Sequence, residues 1–290
     1  MKDYEILGID IGNALVKSNT GVVFDSKTTR LEPLYNVDKI IIDGKAYWIG
    51  TGNYDTTYRK VDKSNYRTLL LSAIALSTDK PVFLSLGLPL SQYRQDKGAL
   101  TNIALSINNT KVTVNGITKL IRIEDAEVFP EGVATLDDRF QGIVIDIGGR
   151  TTDCALVTNE RGKRKINNPL SLSQGTINLY ADFIKALNNK FCLDLKLEDS
   201  ERILANGLWI DGEKKNIDFA TNIYKEFVRD IISRLNVEYS LRTNRISLTG
   251  GGSLLLCNFF KELLGNAELQ EDSLFANANA YHDLGCEIWQ

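Results

Sequence analysis

Three glycine-bearing turns in this 290-residue chain have the residue types that bind phosphate. They are Asp10-Ile11-Gly12-Asn13, Asp146-Ile147-Gly148-Gly149 and Gly250-Gly251-Gly252-Ser253. Glycine lets a backbone come close to an anion, and successive N–H groups in such a turn form a concave anion site. The third turn also opens a helix, whose N-terminus favours negative charge. Taken singly, each could be no more than the end of a strand, and Asp10 and Asp146 no more than turn formers. An acid closing an otherwise apolar strand is nonetheless costly without a partner, and three such turns in one chain point to function. None is a GxxxxGK[ST] loop or a GxGxxG opening a helix, so neither the P-loop nor the Rossmann fingerprint applies.

Strands alternating with helices must position these turns. Residues 4–11 read as a buried strand ending at Gly12, and 15–24 and 36–49 continue as strands, with a hairpin at Asp43-Gly44. The pattern predicts a buried helix over 64–77 capped by Ser64, a strand over 81–89, two strands around Asn115-Gly116, and a short strand at 126–129. A helix can start at 131–137, just after Pro130. The segment IDIG occurs at 9–12 and again at 145–148, an offset of 136 residues, and both copies end apolar strands, which reads as duplication. The second half continues with strands on either side of Arg161-Gly162 and a helix at 176–190. A long helix at 218–240 carries Phe219, Ile223, Phe227, Ile231 and Leu235 at spacing four. A strand at 246–252, a helix at 253–264 and a final helix near 276–286 complete it. Two similar halves imply two α/β lobes with a ligand in the cleft between them.

Composition excludes several alternatives. At 43% apolar and 24% charged the chain can bury a core, and no apolar run reaches the ~20 residues that span a bilayer. The start MKDYEILGID shows no signal-peptide pattern, so a cytoplasmic protein without a membrane partner is expected. Cys154, Cys192, Cys257 and Cys286 are scattered, which suits a reducing compartment and argues against a zinc site or disulfide framework. A net charge of −3 does not coat nucleic acid.

These residues resemble the actin-like ATPase superfamily, shared by actin, DnaK-type chaperones and sugar kinases. IDIGNALVK (9–17) is similar to its first phosphate loop, IDIGGRTTD (145–153) to the second, and LTGGGSLLL (248–256) to its adenosine loop. VFPEGVA (128–134) and ANANAYHDLG (276–285) resemble the two connecting segments. Within the superfamily the ParM-type plasmid-segregation actins look nearest. The resemblance implies a two-lobed actin-like (ribonuclease H-like) fold with nucleotide in the interlobe cleft. Residues 1–140 would form the first lobe, with the helix near 276–290 packed back on it, and 141–275 the second.

The same resemblance implies ATP as cofactor, with GTP left open, and Mg2+ held through its waters by Asp10 and Asp146. Lys17 would offset phosphate charge, and Glu131 would orient or deprotonate the attacking water; Asp146 would act beside it in catalysis. Backbone N–H groups at Gly12, Asn13, Gly148 and Gly149, with the Thr151 hydroxyl, would cradle phosphates. Gly250, Gly251, Gly252 and Ser253 would line the adenosine, and Gly175 with Asn178 would reach ribose or base. Asn13 replaces a serine common in relatives, which implies a changed phosphate contact.

Plainer readings stand beside these. Glu131 suits a helix start by charge alone, and Lys17 could be a solvated edge lysine. Lone His282 gives no triad, Cys154 reads as packing, and Arg161 to Lys165 as a solvated hairpin tip. Arg59, Lys60, Lys63 and Arg67 flank a helix start, as a filament contact or a solvated face. The expectation is an ATPase that polymerises head to tail and segregates plasmid or other replicon DNA. Its DNA would be reached through a ParR-type, DNA-bound adaptor and not bound directly. The alternatives are a small-molecule kinase of the same superfamily and a nucleotide-binding scaffold without turnover.

Overall fold

In a computed structural model describing residues 3–55 and 57–290, the first apolar run forms β1 (Glu5–Ile11). It is flanked by β2 (Leu15–Ser18) and β3 (Val23–Asp25). Met1, Lys2 and Thr56 lie outside the described residues. Four short strands follow: β4 (Lys27–Thr29), β5 (Lys39–Ile42), β6 (Lys45–Ile49) and β7 (Asn53–Tyr54). Next come α1 (Tyr66–Ser77), β8 (Val82–Leu88) and α2 (Leu90–Ser106). β9 (Thr110–Val114), β10 (Ile117–Ile121) and β11 (Ile123–Pro130) end the first half. The hairpins at Asp43-Gly44 and Asn115-Gly116 form where expected, all four residues having positive φ, as two-residue turns that match strand twist require.

The second half repeats the plan. β12 (Gly142–Ile147) is followed by β13 (Thr152–Glu160), β14 (Lys163–Leu172) and α3 (Thr176–Phe191). α4 (Asp199–Asn206), β15 (Leu208–Ile210) and β16 (Glu213–Lys215) precede the long α5 (Asp218–Glu238). β17 (Ile246–Thr249), α6 (Gly251–Leu263), β18 (Ala267–Leu269) and α7 (Ala276–Trp289) complete the chain.

Each lobe is built on a five-stranded sheet of the same design. The first runs β11-β8-β1-β2-β3 and the second β14-β13-β12-β17-β18. In both, an antiparallel meander of three strands continues into two parallel strands on the far side of the first. The fold is thus a mixed α/β, two-lobed one, as the resemblance implied. Register repeats too: Asp10 pairs with Lys17 across β1 and β2, and Asp146 with Asp153 across β12 and β13. A separate six-stranded sheet, β10-β9-β5-β6-β4-β7, belongs to the first lobe alone. Two large cores result, one centred on Leu7, Ile9, Leu69, Leu84 and Leu100, the other on Ile145, Leu179, Phe183, Ile231 and Leu248, and a third, smaller cluster joins Leu90, Val133 and Phe140 to Val144 and Val157.

The last helix returns to the first lobe. α7 packs on β1 and β8, and it fits because those strands carry glycine beneath it. A Cβ on Gly8 would lie 2.0 Å from the Ala278 carbonyl oxygen, and one on Gly87 1.9 Å from the Tyr281 hydroxyl.

Three local expectations are corrected. Ser64 does not cap α1: its hydroxyl donates to Asp55 Oδ2 at 2.9 Å, and Asn65 occupies the cap position without a side-chain bond. No helix runs over 131–137. Gly132 turns the chain at φ +69°, leaving one 3-10 turn at Val133–Thr135. Arg164 is no solvated hairpin residue, because its guanidinium donates to the carbonyls of Leu136 (2.8 Å) and Asp137 (2.6 Å).

Candidate functional site

Asp10 and Asp146 each stand near the end of a central strand, and the turns beyond them are built alike. Gly12 N–H donates to Leu15 C=O and Gly148 N–H to Thr151 C=O, both at 2.9 Å. Those two amides are therefore spent on closing their turns and do not face a ligand, contrary to expectation. The N–H groups of Asn13 and Gly149 have no such partner among the described residues and remain for an anion. The turns meet across the lobes: a Cβ on Gly149 would lie 2.4 Å from Ala14 Cβ.

Between the lobes lies a cavity of about 420 Å³. Its walls include Asp10, Gly12, Asn13 and Lys17 from the first lobe, with Glu131. Opposite stand Asp146, Gly148, Gly149, Thr151, Gly250, Gly251 and Gly252. Residues 120 or more apart in sequence are thereby brought to one space. Three expected contacts do not reach it. Ser253 is wholly buried and its hydroxyl donates to the Thr249 carbonyl at 2.5 Å, the inward bond open to a serine early in a helix. Gly175 and Asn178 cap α3 instead, Asn178 Oδ1 accepting from Gly175 N–H at 3.1 Å. Glycine is needed at 175 because a Cβ there would meet Arg150 N at 2.5 Å. The first N–H groups of α3 go to the carbonyls of Gly148 and Gly149, which turns Thr176 and Ile177 to the cavity in their place.

The sequence assigns several other lining residues no place in the cleft. Lys60, read as filament contact or solvated face, is 2% exposed. Its ammonium binds Glu131 Oε1 directly, donates to the Gly87 carbonyl at 3.2 Å, and lies 3.7 Å from Asp10 Oδ1. Lys17 completes the network at 2.8 Å from Asp10 Oδ2. Asp153, 3% exposed, leaves Oδ1 buried without a partner. A signal for it existed: it stands seven residues after Asp146, as Lys17 does after Asp10, within the repeated strand-turn-strand. Asn277 on α7 donates Nδ2 to Asp146 Oδ2 at 2.8 Å and accepts Gly132 N–H at 3.0 Å, joining the chain beside Glu131 to the second lobe. At another part of the cavity wall stand Lys27, Tyr54, Tyr180, Glu198 and Glu201.

The carboxyls differ because their neighbours differ. Burial works against ionised Asp10, but the Lys17 and Lys60 ammonium groups outweigh it and hold its carboxyl below the ordinary value. Asp146 is raised, chiefly by burial, despite the Asn277 hydrogen bond. Burial and then the charge of Asp146 push Asp153 up to about 6. Burial also raises Glu131, against the pull of Lys60 and with the charge of Asp10 adding to it. One wall therefore holds ammonium groups suited to phosphate, and the other acids that await a cation. The orphaned Asp153 oxygen and the hard oxygen donors fit hydrated Mg2+. Among the described residues no group of three or more acid, His or Cys side chains is placed to hold a bare metal ion. Mg2+ keeps its waters and takes few protein ligands, so an open set of acids suits it.

The chain is similar to known proteins over most of its length. Residues 8–133 match the N-terminal domain of actin like proteins, and residues 144–262 the C-terminal domain of the archaeal actin homologue, MreB-like. No curated protein matches the chain. Among solved structures it is similar to a 15-stranded ParM filament from Clostridium botulinum, with 20% identity, TM-score 0.83, and 98% and 99% of the two chains covered. It is also similar to Ta0583, an archaeal actin homolog crystallised with ADP (20%, TM-score 0.79, 98% and 99%). The Alp12 filament matches at 20% identity and TM-score 0.70, over the whole of both chains.

Proposed function

From a chain that belongs to the actin-like proteins, we infer an ATPase that assembles head to tail with ATP in its interlobe cleft and disassembles after hydrolysis. One observation carries this: Asp10 and Asp146, 136 residues apart, face one cavity that Glu131 also lines. The solved ADP complex and filaments of similar proteins support the reading.

Mg2+, when bound with the nucleotide, supplies charge neutralisation at the phosphates. Asp10, Asp146 and Asp153 would hold it, mostly through water. The Asn13 and Gly149 amides, Lys17 and the Thr151 hydroxyl would take phosphate oxygens. Lys60 is bound to Glu131 and Asp10. A terminal phosphate competes for that ammonium, and Lys60 moving to it leaves the Glu131 carboxylate free to accept a proton from water. Residues 1–140 with 276–290 would move as one body and 141–275 as the other. Asn277 and the abutting Ala14 and Gly149 turns would be the joint that senses closure.

Repeated head-to-tail contact without closure gives a filament. We assign it the segregation of plasmid or other replicon DNA, engaged through a DNA-bound adaptor of ParR type. Purified protein with Mg-ATP should scatter light above a critical concentration, and scattering should decay as ATP is spent. A flat trace over a wide protein range removes the filament. Phosphate transfer stimulated by a small hydroxyl acceptor identifies a kinase instead.

A further inference from the structure

Among the described residues Lys63 is a buried cation without an ion-pair partner. It follows the 3-10 turn Lys60–Asp62 and is 6% exposed. Its backbone is held on both sides, N–H to the Lys60 carbonyl and C=O from the Tyr66 N–H. No carboxylate lies within ion-pair distance among the described residues, because Glu131 and Asp10 are taken by Lys60. Asp55 accepts instead from Thr57 N–H and from the N–H and hydroxyl of Ser64. Among the described residues the ammonium has a single side-chain partner, Asn13 Oδ1, at 2.6 Å.

That contact fixes the amide. An ammonium has donors only, so the atom facing it is the Asn13 oxygen, which leaves the NH2 group for other acceptors. Asn13 lines the cavity at the first phosphate turn. Leaving a buried ammonium unpaired is unfavourable, and an anion brought near it recovers that cost.

We propose that Lys63 is a ligand-dependent cation of this site: it orients the Asn13 amide NH2 toward a bound polyphosphate and takes the phosphate charge as its missing counter-ion. The inference rests on the cleft being a nucleotide site. The amide at position 13 suits this arrangement, since it accepts from Lys63 through Oδ1 and keeps two N–H donors where a hydroxyl would keep one.

The charges around Lys63 agree. Burial first, then the neighbouring Lys60 ammonium, push its pKa down to about 8, with Arg150 from the second lobe the least of the contributions. Asp55 and Glu131 oppose this more weakly. An anion raises it again, so binding takes up protons between the free and bound values, and affinity falls as pH rises through about 8.

Calorimetry of Mg-tripolyphosphate and Mg-ATP binding to wild type, Lys63→Met and Lys63→Arg, at pH 7 and pH 9, tests this. Lys63→Met should weaken both ligands about ten- to a hundredfold at pH 7, the scale of one charge-assisted hydrogen bond, and leave adenosine unchanged. Wild type should lose most of that advantage by pH 9. Lys63→Arg should not, because guanidinium does not titrate there. Without ligand, Lys63→Met should unfold at an equal or higher denaturant midpoint, since it removes an unpaired charge. Tripolyphosphate bound equally by wild type and Lys63→Met overturns the proposal, as does a lowered midpoint, which marks a structural lysine. If tripolyphosphate binds through Lys63 but ATP does not bind, the nucleotide reading fails and this one stands. ATP bound and hydrolysed with no effect of Lys63 gives the reverse, and no binding of either ligand removes both.

Discussion

Lys17 and Asp153 hold the same place in the two halves of the molecule, each on the second strand of its sheet and opposite the aspartate of the first. Duplication would give both lobes one site; opposite charges at this position make them different. The ammonium holds Asp10 ionised, while the second acid leaves Asp146 and Asp153 short of positive charge. A polyphosphate with Mg2+ answers both walls at once. Glu131 stands among these groups with its charge spent on Lys60. Glu131→Ala should therefore keep Mg-ATP binding and assembly but slow phosphate release by about 10²–10⁴-fold, the usual scale for loss of a general base. Filaments of the variant would outlast those of wild type in the same scattering assay. Unchanged phosphate release would leave Glu131 only the task of anchoring Lys60.

Strand ends and close helix contacts set the site at the next scale. Glycines at 8, 87 and 285 let α7 sit against β1 and β8, and α7 carries Asn277 to Asp146. Gly8→Ala puts a methyl 2.0 Å from the Ala278 carbonyl oxygen, and overpacking of this kind costs about 1–3 kcal/mol or more. The denaturation midpoint should fall accordingly. Gly98→Ala is the control: a Cβ there, inside α2, meets nothing within 4 Å, and helix propensity should raise stability by about 0.5–1 kcal/mol. Equal effects of the two would show that α7 packs loosely. Elements like β1 and β12 were legible because continuous apolar strands ending in Asp-Ile-Gly have one sensible reading. α2 was not, because its inner face includes Gln92 and Asp96, which bond the 58–60 segment and break the apolar stripe. Lys60 was hidden for the same reason. A charge ahead of a helix normally faces water, and its acid partners lie 50 and 71 residues away. Gly175, Asn178 and Ser253 were misplaced because motif spacing reports proximity to a turn and not which side a backbone presents.

At the scale of the whole molecule, charge decides what the chain can hold unaided. Its 34 basic and 37 acidic residues leave a net charge of −3. Several of the described basic side chains are engaged: Lys17 and Lys60 line the cleft, Lys63 is buried against Asn13, and Arg164 ties a hairpin to the carbonyls of Leu136 and Asp137. What remains at 161–165 is a short exposed cluster from which Lys165 also pairs with Glu160 at 2.6 Å. Duplex affinity at physiological salt needs several phosphates neutralised together, because each contact is worth less as salt rises. Two or three exposed cations do not provide that, and screening over roughly 8 Å removes longer-range help. The purified protein should therefore show no measurable duplex binding near 150 mM salt, by fluorescence anisotropy, with or without Mg-ATP. Weak binding confined to low salt agrees with a few contacts at the 161–165 hairpin. Sequence-specific binding retained near 150 mM salt would reassign that hairpin to DNA and remove the need for an adaptor to link the filament to its cargo.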